Sequence, residues 1–295
     1  MIKIEDRIIS NDSPNFIIAE VGANHNGDLK LAKKCIDAAA LCGVDAVKFQ
    51  TYTTEELLSH KEAIVTIGQN GEITQTLKEL FDNVTLKREI HKEIYDYAKS
   101  KGLICFSTPF SVEGVAFLEE LDNPIYKIAS SDVNYVDMLE VIGATKKPVF
   151  LSTGKCTLPE MDMAIELLQK SGTTDLCLLH CIANYPSKME NMNLNVIKTL
   201  KQMYPEFIIG FSDHSLGITA ALGAVCFGAK IIEKHFTVDK NLDGPDHWFS
   251  MDPNDMKNLV IGIRDLEVAF GTQRKILAQN EVPEKYWATR SLHIN

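Results

Sequence analysis

Two histidines occupy matching places in the chain: His214 in SDHS and His235 in EKHF, each at the end of an apolar run. They lie 21 residues apart, about one strand–helix–strand unit. In a parallel barrel this spacing puts both imidazoles at one mouth, on neighbouring strands, where together they can hold a divalent metal. The plainer reading is that each histidine caps its strand and hydrogen-bonds locally. Two lysines, Lys48 and Lys127, also end apolar runs. A buried, unpaired ammonium is costly, so both need anionic partners. A salt bridge to Glu20 or Asp132 would satisfy them. A ligand carrying phosphate and carboxylate is the sharper reading, because Thr108, Ser130, Ser152 and Ser212 add hydroxyl donors at other strand ends. Glu20, Asp132 and Asp246 then remain as acceptors for sugar hydroxyls or as proton-transfer groups.

Such residues converge only if the chain places eight strand ends around one opening. Apolar runs and helical patterns alternate with the needed regularity. The strands are expected at FIIAEV (16–21), VDAVKFQ (44–50), LICFSTP (103–109), IYKIAS, PVFLSTG, DLCLLHC, FIIGFSD and AKIIEKHF, each followed by a helical segment. The runs are continuous rather than alternating, which means burial on both faces and parallel pairing. Eight such units in about 255 residues predict an α/β fold of the (β/α)8 TIM-barrel type. The first turn, EVGANHNG, lacks the GxGxxG of a doubly wound dinucleotide fold. Residues 51–84 and 272–295 read as irregular, and the former, following the second strand, is expected to lie over the active face as a lid. In the helix near 85–102, Thr85 is expected to cap the N-terminus, and Gly43 to end the first helix.

The 295 residues are 45% hydrophobic with a net charge of −10, which suits a large-cored globular enzyme and argues against a nucleic-acid-binding surface. No apolar run reaches membrane-spanning length and MIKIEDRIIS lacks a signal-peptide pattern, so no membrane association is expected. Seven cysteines without a CxxC read as reduced, buried thiols of a cytoplasmic protein. Only Cys181 is placed near the mouth, with core packing as its expected role. His25 reads as a turn residue or a site residue with equal weight. His180 reads as a satisfied lumen histidine, and His60, His91 and His293 as surface residues. Tyr185-Pro186 either stiffens a loop or shapes a substrate wall.

The segments AEVGANHNG, VKFQTY, FSTPFS, YKIAS, LSTGK, LLHCIANYP, GFSDHS and EKHFTVDKNLDGPDH, in this order, resemble the sialic acid synthase family over roughly residues 15–290. That family comprises N-acetylneuraminate synthases and relatives that make legionaminic and pseudaminic acids. The resemblance implies condensation of phosphoenolpyruvate with an N-acylated hexosamine, releasing phosphate. It implies a divalent metal, Mn2+ or Mg2+, on His214 and His235. It maps phosphoenolpyruvate contacts onto Lys48, Thr108, Lys127, Ser130, Ser152, Asn184 and Ser212, and sugar contacts onto Gln50, Tyr185 and Asp246. Glu20 matches a carboxylate near metal and sugar, and Glu20, Lys48, Lys127, Asp132 and Asp246 are the expected catalytic set.

The family often has Glu where Asp132 stands, which sets this carboxylate back by about one methylene. Many members continue into an antifreeze-like domain that lends an Arg to the partner's sugar site in a swapped dimer. Residues 1–271 are accordingly expected to be the barrel and 272–295 a tail or linker toward such a domain. A homodimer is expected, and a separate antifreeze-like lid domain is a further expected partner. Two alternatives stay open: a phosphoenolpyruvate-dependent 3-deoxy-sugar acid phosphate synthase, and a catalytically silent barrel acting as a binding subunit.

Overall fold

The computed structural model describes residues 1–69, 71, 73–288 and 290. A short antiparallel hairpin, β1 (Ile2–Ile4) and β2 (Arg7–Ile9), precedes β3 (Phe16–Glu20), α1 (Leu29–Cys42) and β4 (Ala46–Thr51). An insertion follows, made of α2 (Thr54–Leu57), β5 (Ile64–Ile67), β6 (Ile73–Thr76) and α3 (Leu77–Val84). The regular alternation resumes with α4 (Arg88–Ser100), β7 (Ile104–Pro109), α5 (Val112–Glu120), β8 (Tyr126–Ile128), α6 (Val136–Ala144) and β9 (Val149–Ser152). It continues through α7 (Leu158–Ser171), β10 (Leu176–Cys181), α8 (Asn195–Met203), β11 (Ile208–Asp213), α9 (Thr219–Cys226), β12 (Ile231–His235) and α10 (Pro253–Ala269). A last helix, α11 (Glu281–Ala288), lies in the tail.

Strands β3, β4 and β7 to β12 pair in parallel and close into a barrel, with β12 against β3. This is the (β/α)8 architecture expected from the continuous apolar runs. Alternate side chains of each strand face two different cores. Phe16, Ile18, Phe106, Phe150, Leu179 and Ile231 fill the lumen, while Ile17, Leu178, Phe211 and Ile232 pack outward against the helices. Helix α1 shows why the outer layer docks. Ala32, Cys35, Ile36 and Ala39 form one buried stripe at helical spacing. Asp28 caps its first turn by accepting from the Leu31 N–H, and Gly43 ends it in the left-handed region at φ 81°.

The N-terminal hairpin was not legible as strands, being only three residues a side. Ile2, Ile4 and Ile9 join the lumen core at its lower end, beside the first residues of β3, β7, β11 and β12. Segment 51–84 is not irregular: Thr53 with Glu56 and Thr76 with Glu79 form capping boxes, and β5–β6 is a hairpin. Thr85 does not cap α4. It ends α3 instead, its hydroxyl donating to the Phe81 carbonyl, and α4 starts at Arg88. His91 is not on the surface. It shares the inner face of α4 with Ile94, Tyr95 and Ala98, and its Nε2 lies 3.1 Å from Thr51 Oγ1. His180 is satisfied as expected but faces outward rather than into the lumen, with Nε2 2.7 Å from the Met192 carbonyl. His60 is exposed, and His293 lies outside the described residues. Of the thiols, Cys226 is exposed and Cys156 half-buried, because both lie at or beyond element ends. Among the described residues no helix is long and apolar enough to cross a membrane.

Candidate active site

A cavity of about 480 Å3 opens at the carboxyl ends of the barrel strands. Twelve of the fourteen residues singled out from the sequence line it: Glu20, Lys48, Gln50, Thr108, Lys127, Ser130, Ser152, Tyr185, Ser212, His214, His235 and Asp246. Asn184 and Asp132 do not. Asn184 is exposed on the loop after β10, where its carbonyl, not its amide, is engaged, accepting from Ser187 Oγ. Asp132 ends a single 3-10 turn after β8 and interacts with Ser131 Oγ at 3.3 Å. Burial pushes its carboxyl up to about 6, against the opposing pull of Ser131 and Lys127.

The floor is a network of buried charges. Lys48 Nζ reaches Glu20 Oε2 at 3.1 Å and Glu233 Oε2 at 3.5 Å, and donates to Thr108 Oγ1 at 3.0 Å. Lys127 Nζ lies 3.9 Å from Glu233 Oε1 and donates to the Ile128 carbonyl. The lysines' carboxylate partners are therefore Glu20 and Glu233, not Asp132. Burial works against the charge of Glu233, but Lys127, Lys48 and the Ser212 hydroxyl outweigh it and hold the carboxyl at about 2. Glu20 goes the other way: burial raises it, with Lys48 only partly offsetting. Burial also lowers Lys127, whereas at Lys48 the two carboxylates prevail over burial and raise it.

Glu233 was noted at a strand end in the sequence but given no role. The two-residue period would have found it, since Ile231, Glu233 and His235 share the lumen face while Ile232 and Lys234 face outward. The walls were missed too. Tyr52, Leu57, Ile67, Leu80 and Phe81 come from β4 and the insertion, Phe110 from the end of β7, and Trp248 and Phe249 from the segment after β12. Tyr52 packs edge-on against Phe81 and Phe110 at 5.8 and 5.6 Å.

One hydroxyl faces the floor without a partner, and a second is held in place by the backbone. Ser152 Oγ is buried and makes no hydrogen bond. Ser130 Oγ accepts from the Gly154 N–H at 2.9 Å, a contact only glycine permits, because a Cβ at 154 would sit 2.8 Å from that oxygen. Buried lysines flanked by hydroxyls make a receptor for a small polyanion.

The two histidine rings stand 5.3 Å apart, centroid to centroid, with Tyr185 4.2 Å from His214. His214 Nδ1 lies 3.0 Å from the Ile182 carbonyl, which leaves Nε2 with its lone pair. Burial and the neighbouring His235 push His214 down to about 3, so it is neutral, as a metal ligand must be. Burial also acts to lower His235, but the Asp246 carboxylate and Glu20 outweigh it and raise it. Asp246 Oδ2 lies 3.3 Å from His235 Nδ1, yet the two are misaligned, and that buried nitrogen has no hydrogen-bond partner. These two imidazoles fit a divalent ion as a pair. No group of three or more His, Cys, Asp or Glu side chains suited to a metal occurs among the described residues. An ion here would draw its other ligands from water and substrate.

The family model described as "NeuB family" matches residues 35–275. The chain belongs to the NeuB family. Among NeuB relatives, the N,N'-diacetyllegionaminic acid synthase of Legionella pneumophila is 40% identical over 282 residues, covering 94% of this chain and 79% of that one. A pseudaminic acid synthase of Campylobacter jejuni is 38% identical over 286 residues, covering 96% and 82%. The solved N-acetylneuraminic acid synthetase of Leptospira borgpetersenii, in complex with citrate, superposes with a TM-score of 0.85 at 35% identity, covering 97% of this chain and 95% of that one. The NeuB chain is thus similar to synthases of nonulosonic acids along nearly its whole length.

Proposed function

We propose that the chain condenses phosphoenolpyruvate with an open-chain N-acylated hexosamine to give a nonulosonic acid and inorganic phosphate. The observation that carries this reading is the floor: two buried lysines and four hydroxyls from separate strand ends, beside two converging imidazoles, in a NeuB barrel. Lys48, Lys127, Thr108, Ser130, Ser152 and Ser212 bind the phosphate and carboxylate of phosphoenolpyruvate and hold its C3 toward the sugar. Gln50, Tyr185 and Asp246 orient the sugar so that its aldehyde faces that carbon. When held by His214 and His235, a divalent ion such as Mn2+ or Mg2+ supplies Lewis-acid polarisation of the aldehyde oxygen.

C3 bonds to the aldehyde carbon, whose oxygen becomes a hydroxyl, and cationic character develops at C2. Glu20 and Glu233, fixed in the floor, stabilise that charge. Water adds at C2 and gives a proton to Glu20, the carboxylate that burial makes more basic than usual, which passes it to the former aldehyde oxygen to complete that hydroxyl. The tetrahedral centre then collapses, its C–O bond breaks and phosphate leaves, producing the 2-keto acid.

The walls bear on the sugar. Among its described residues the insertion contributes Tyr52, Leu57, Ile67, Leu80 and Phe81 to the cavity and no charged side chain. Among the described residues the lining cation outside the floor is Lys155, on the loop after β9, three strands round the barrel from β4. A neutral wall favours acyl groups over a phosphate on the sugar, and it weighs against the phosphosugar-using alternative.

Phosphate release with phosphoenolpyruvate, Mn2+ and a panel of sugars tests this. The panel holds N-acetylmannosamine, its 6-phosphate and a 2,4-diacetamido-2,4,6-trideoxyhexose, each with and without an added antifreeze-like domain. Release is expected with an unphosphorylated sugar. Tight phosphoenolpyruvate binding with no release from any sugar would leave the silent binding subunit as the answer.

A further inference from the structure

Strands β11 and β12 meet in three successive rungs at their carboxyl ends. Ser212 and Glu233 are register partners facing the cavity, joined by a 2.9 Å hydrogen bond from Ser212 Oγ to Glu233 Oε1. Asp213 and Lys234 are the next partners and, by the two-residue period, face the helix layer. The residues that follow them, His214 and His235, turn back into the cavity. The last rung is thus an ion pair directly behind the metal-binding candidates, outside the active-site cavity.

That pair is almost entirely buried, with Lys234 at 3% and Asp213 at 0% side-chain exposure and Nζ to Oδ2 at 2.7 Å. It is also more than a pair. Lys234 Nζ donates to the Ser215 carbonyl at 2.6 Å, and Asp213 Oδ1 accepts from the Ser215 N–H at 2.8 Å. Ser215 is therefore held at both its backbone N–H and its carbonyl, just past His214. From the other side, the Ser187 N–H donates to the His214 carbonyl at 2.9 Å. His214 is clasped on both flanks, while its ring is fixed by the Ile182 carbonyl. A buried ion pair adds little net stability over apolar residues of the same volume, so its placement calls for another explanation. A one-residue slip of β11 against β12 would turn one histidine away from the other.

We propose that the Lys234–Asp213 pair is a positioning device for the metal site, locking two strand ends in the register that makes His214 and His235 converge on one ion. This rests on the proposed metal role of those histidines. Supporting groups behind a ligand tune affinity without touching the metal, so the effect appears in metal binding before it appears in folding.

The test is Mn2+ binding by the intact chain, followed through the free-ion EPR signal, alongside thermal unfolding and phosphoenolpyruvate binding without metal. A single substitution strands a buried charge, so the informative variant replaces both partners, Lys234→Met with Asp213→Asn, which keeps an acceptor for the Ser215 N–H. The expected result is a folded protein that binds Mn2+ roughly 10- to 100-fold more weakly, with phosphoenolpyruvate affinity unchanged. Mn2+ affinity within about threefold of the parent in that folded variant overturns the proposal. Should the double variant not fold, Asp213→Glu decides, since it keeps the charges but lengthens one arm. Weakened Mn2+ binding there supports the proposal, and unchanged binding overturns it. If the parent chain binds no Mn2+ and His214→Ala changes nothing, the metal reading fails, and this inference fails with it.

Discussion

The floor and the walls of the cavity are built on opposite principles. The floor consists of strand ends: Glu20, Lys48, Thr108, Lys127, Ser152, Ser212 and Glu233 each leave a different strand of one hydrogen-bonded barrel, and their charges neutralise one another. The walls come from connecting segments, the insertion between β4 and α4 and the stretch after β12, and are mostly apolar. Rigid, over-determined backbone carries the groups that would handle charge, while replaceable segments carry the surface that would discriminate between sugars. Chemistry and selectivity can then vary separately.

That separation can be broken or sharpened by experiment. The largest effect is expected at the proposed metal site. His214→Ala or His235→Ala should abolish metal-dependent phosphate release with the melting temperature within about 5 °C of the parent. Full activity in both variants would refute the metal assignment. Lys127→Ala comes next, since it removes a desolvated cation from the proposed anion site. A loss of about 2–5 kcal/mol in phosphoenolpyruvate binding is expected, roughly 30- to 5,000-fold, read by titration. Phe81→Ala tests the wall: the sugar KM should rise roughly tenfold while the phosphoenolpyruvate KM stays put. A parallel rise in both constants would mean that floor and wall are coupled.

The last prediction concerns stability and lies outside both regions. Burial pushes His25 down to about 3, so the folded state refuses a proton that the unfolded chain accepts near pH 6.5. Its contribution is present above about pH 6.5 and is lost as pH falls toward about 3, at about 1 kcal/mol per pH unit. Urea midpoints between pH 7.5 and 5 should show that decline, with a shallower slope in His25→Gln.

The floor was legible in the sequence because strand ends announce themselves: a polar residue closing a fully apolar run has few places to go. All eight barrel strands, and the cavity-lining residues Glu20, Lys48, Thr108, Lys127, Ser152, Ser212, His214 and His235, were found this way, whereas Tyr185 and Asp246 were mapped as sugar contacts by the family resemblance. Legibility ended where position depends on local turn geometry. Asn184 and Asp132 follow strand ends by three and four residues, and a loop or 3-10 turn had already redirected the chain. The lysines' shared partner, Glu233, was overlooked because its run was read as a string rather than by alternate faces. His91 was misplaced because the apolar stripe of α4 was not extended back to it. The N-terminal hairpin and the β5–β6 hairpin were too short to show a period at all.

The N-terminal hairpin gives the barrel a single door. Ile2, Ile4 and Ile9 cork the lower end and bulky side chains fill the lumen above them, so whatever reaches the floor enters and leaves by the same opening. If phosphoenolpyruvate takes the floor and the sugar the space over it, traffic must queue. A sugar that arrives first bars the way to the deeper molecule, and phosphate waits below until the new acid has gone.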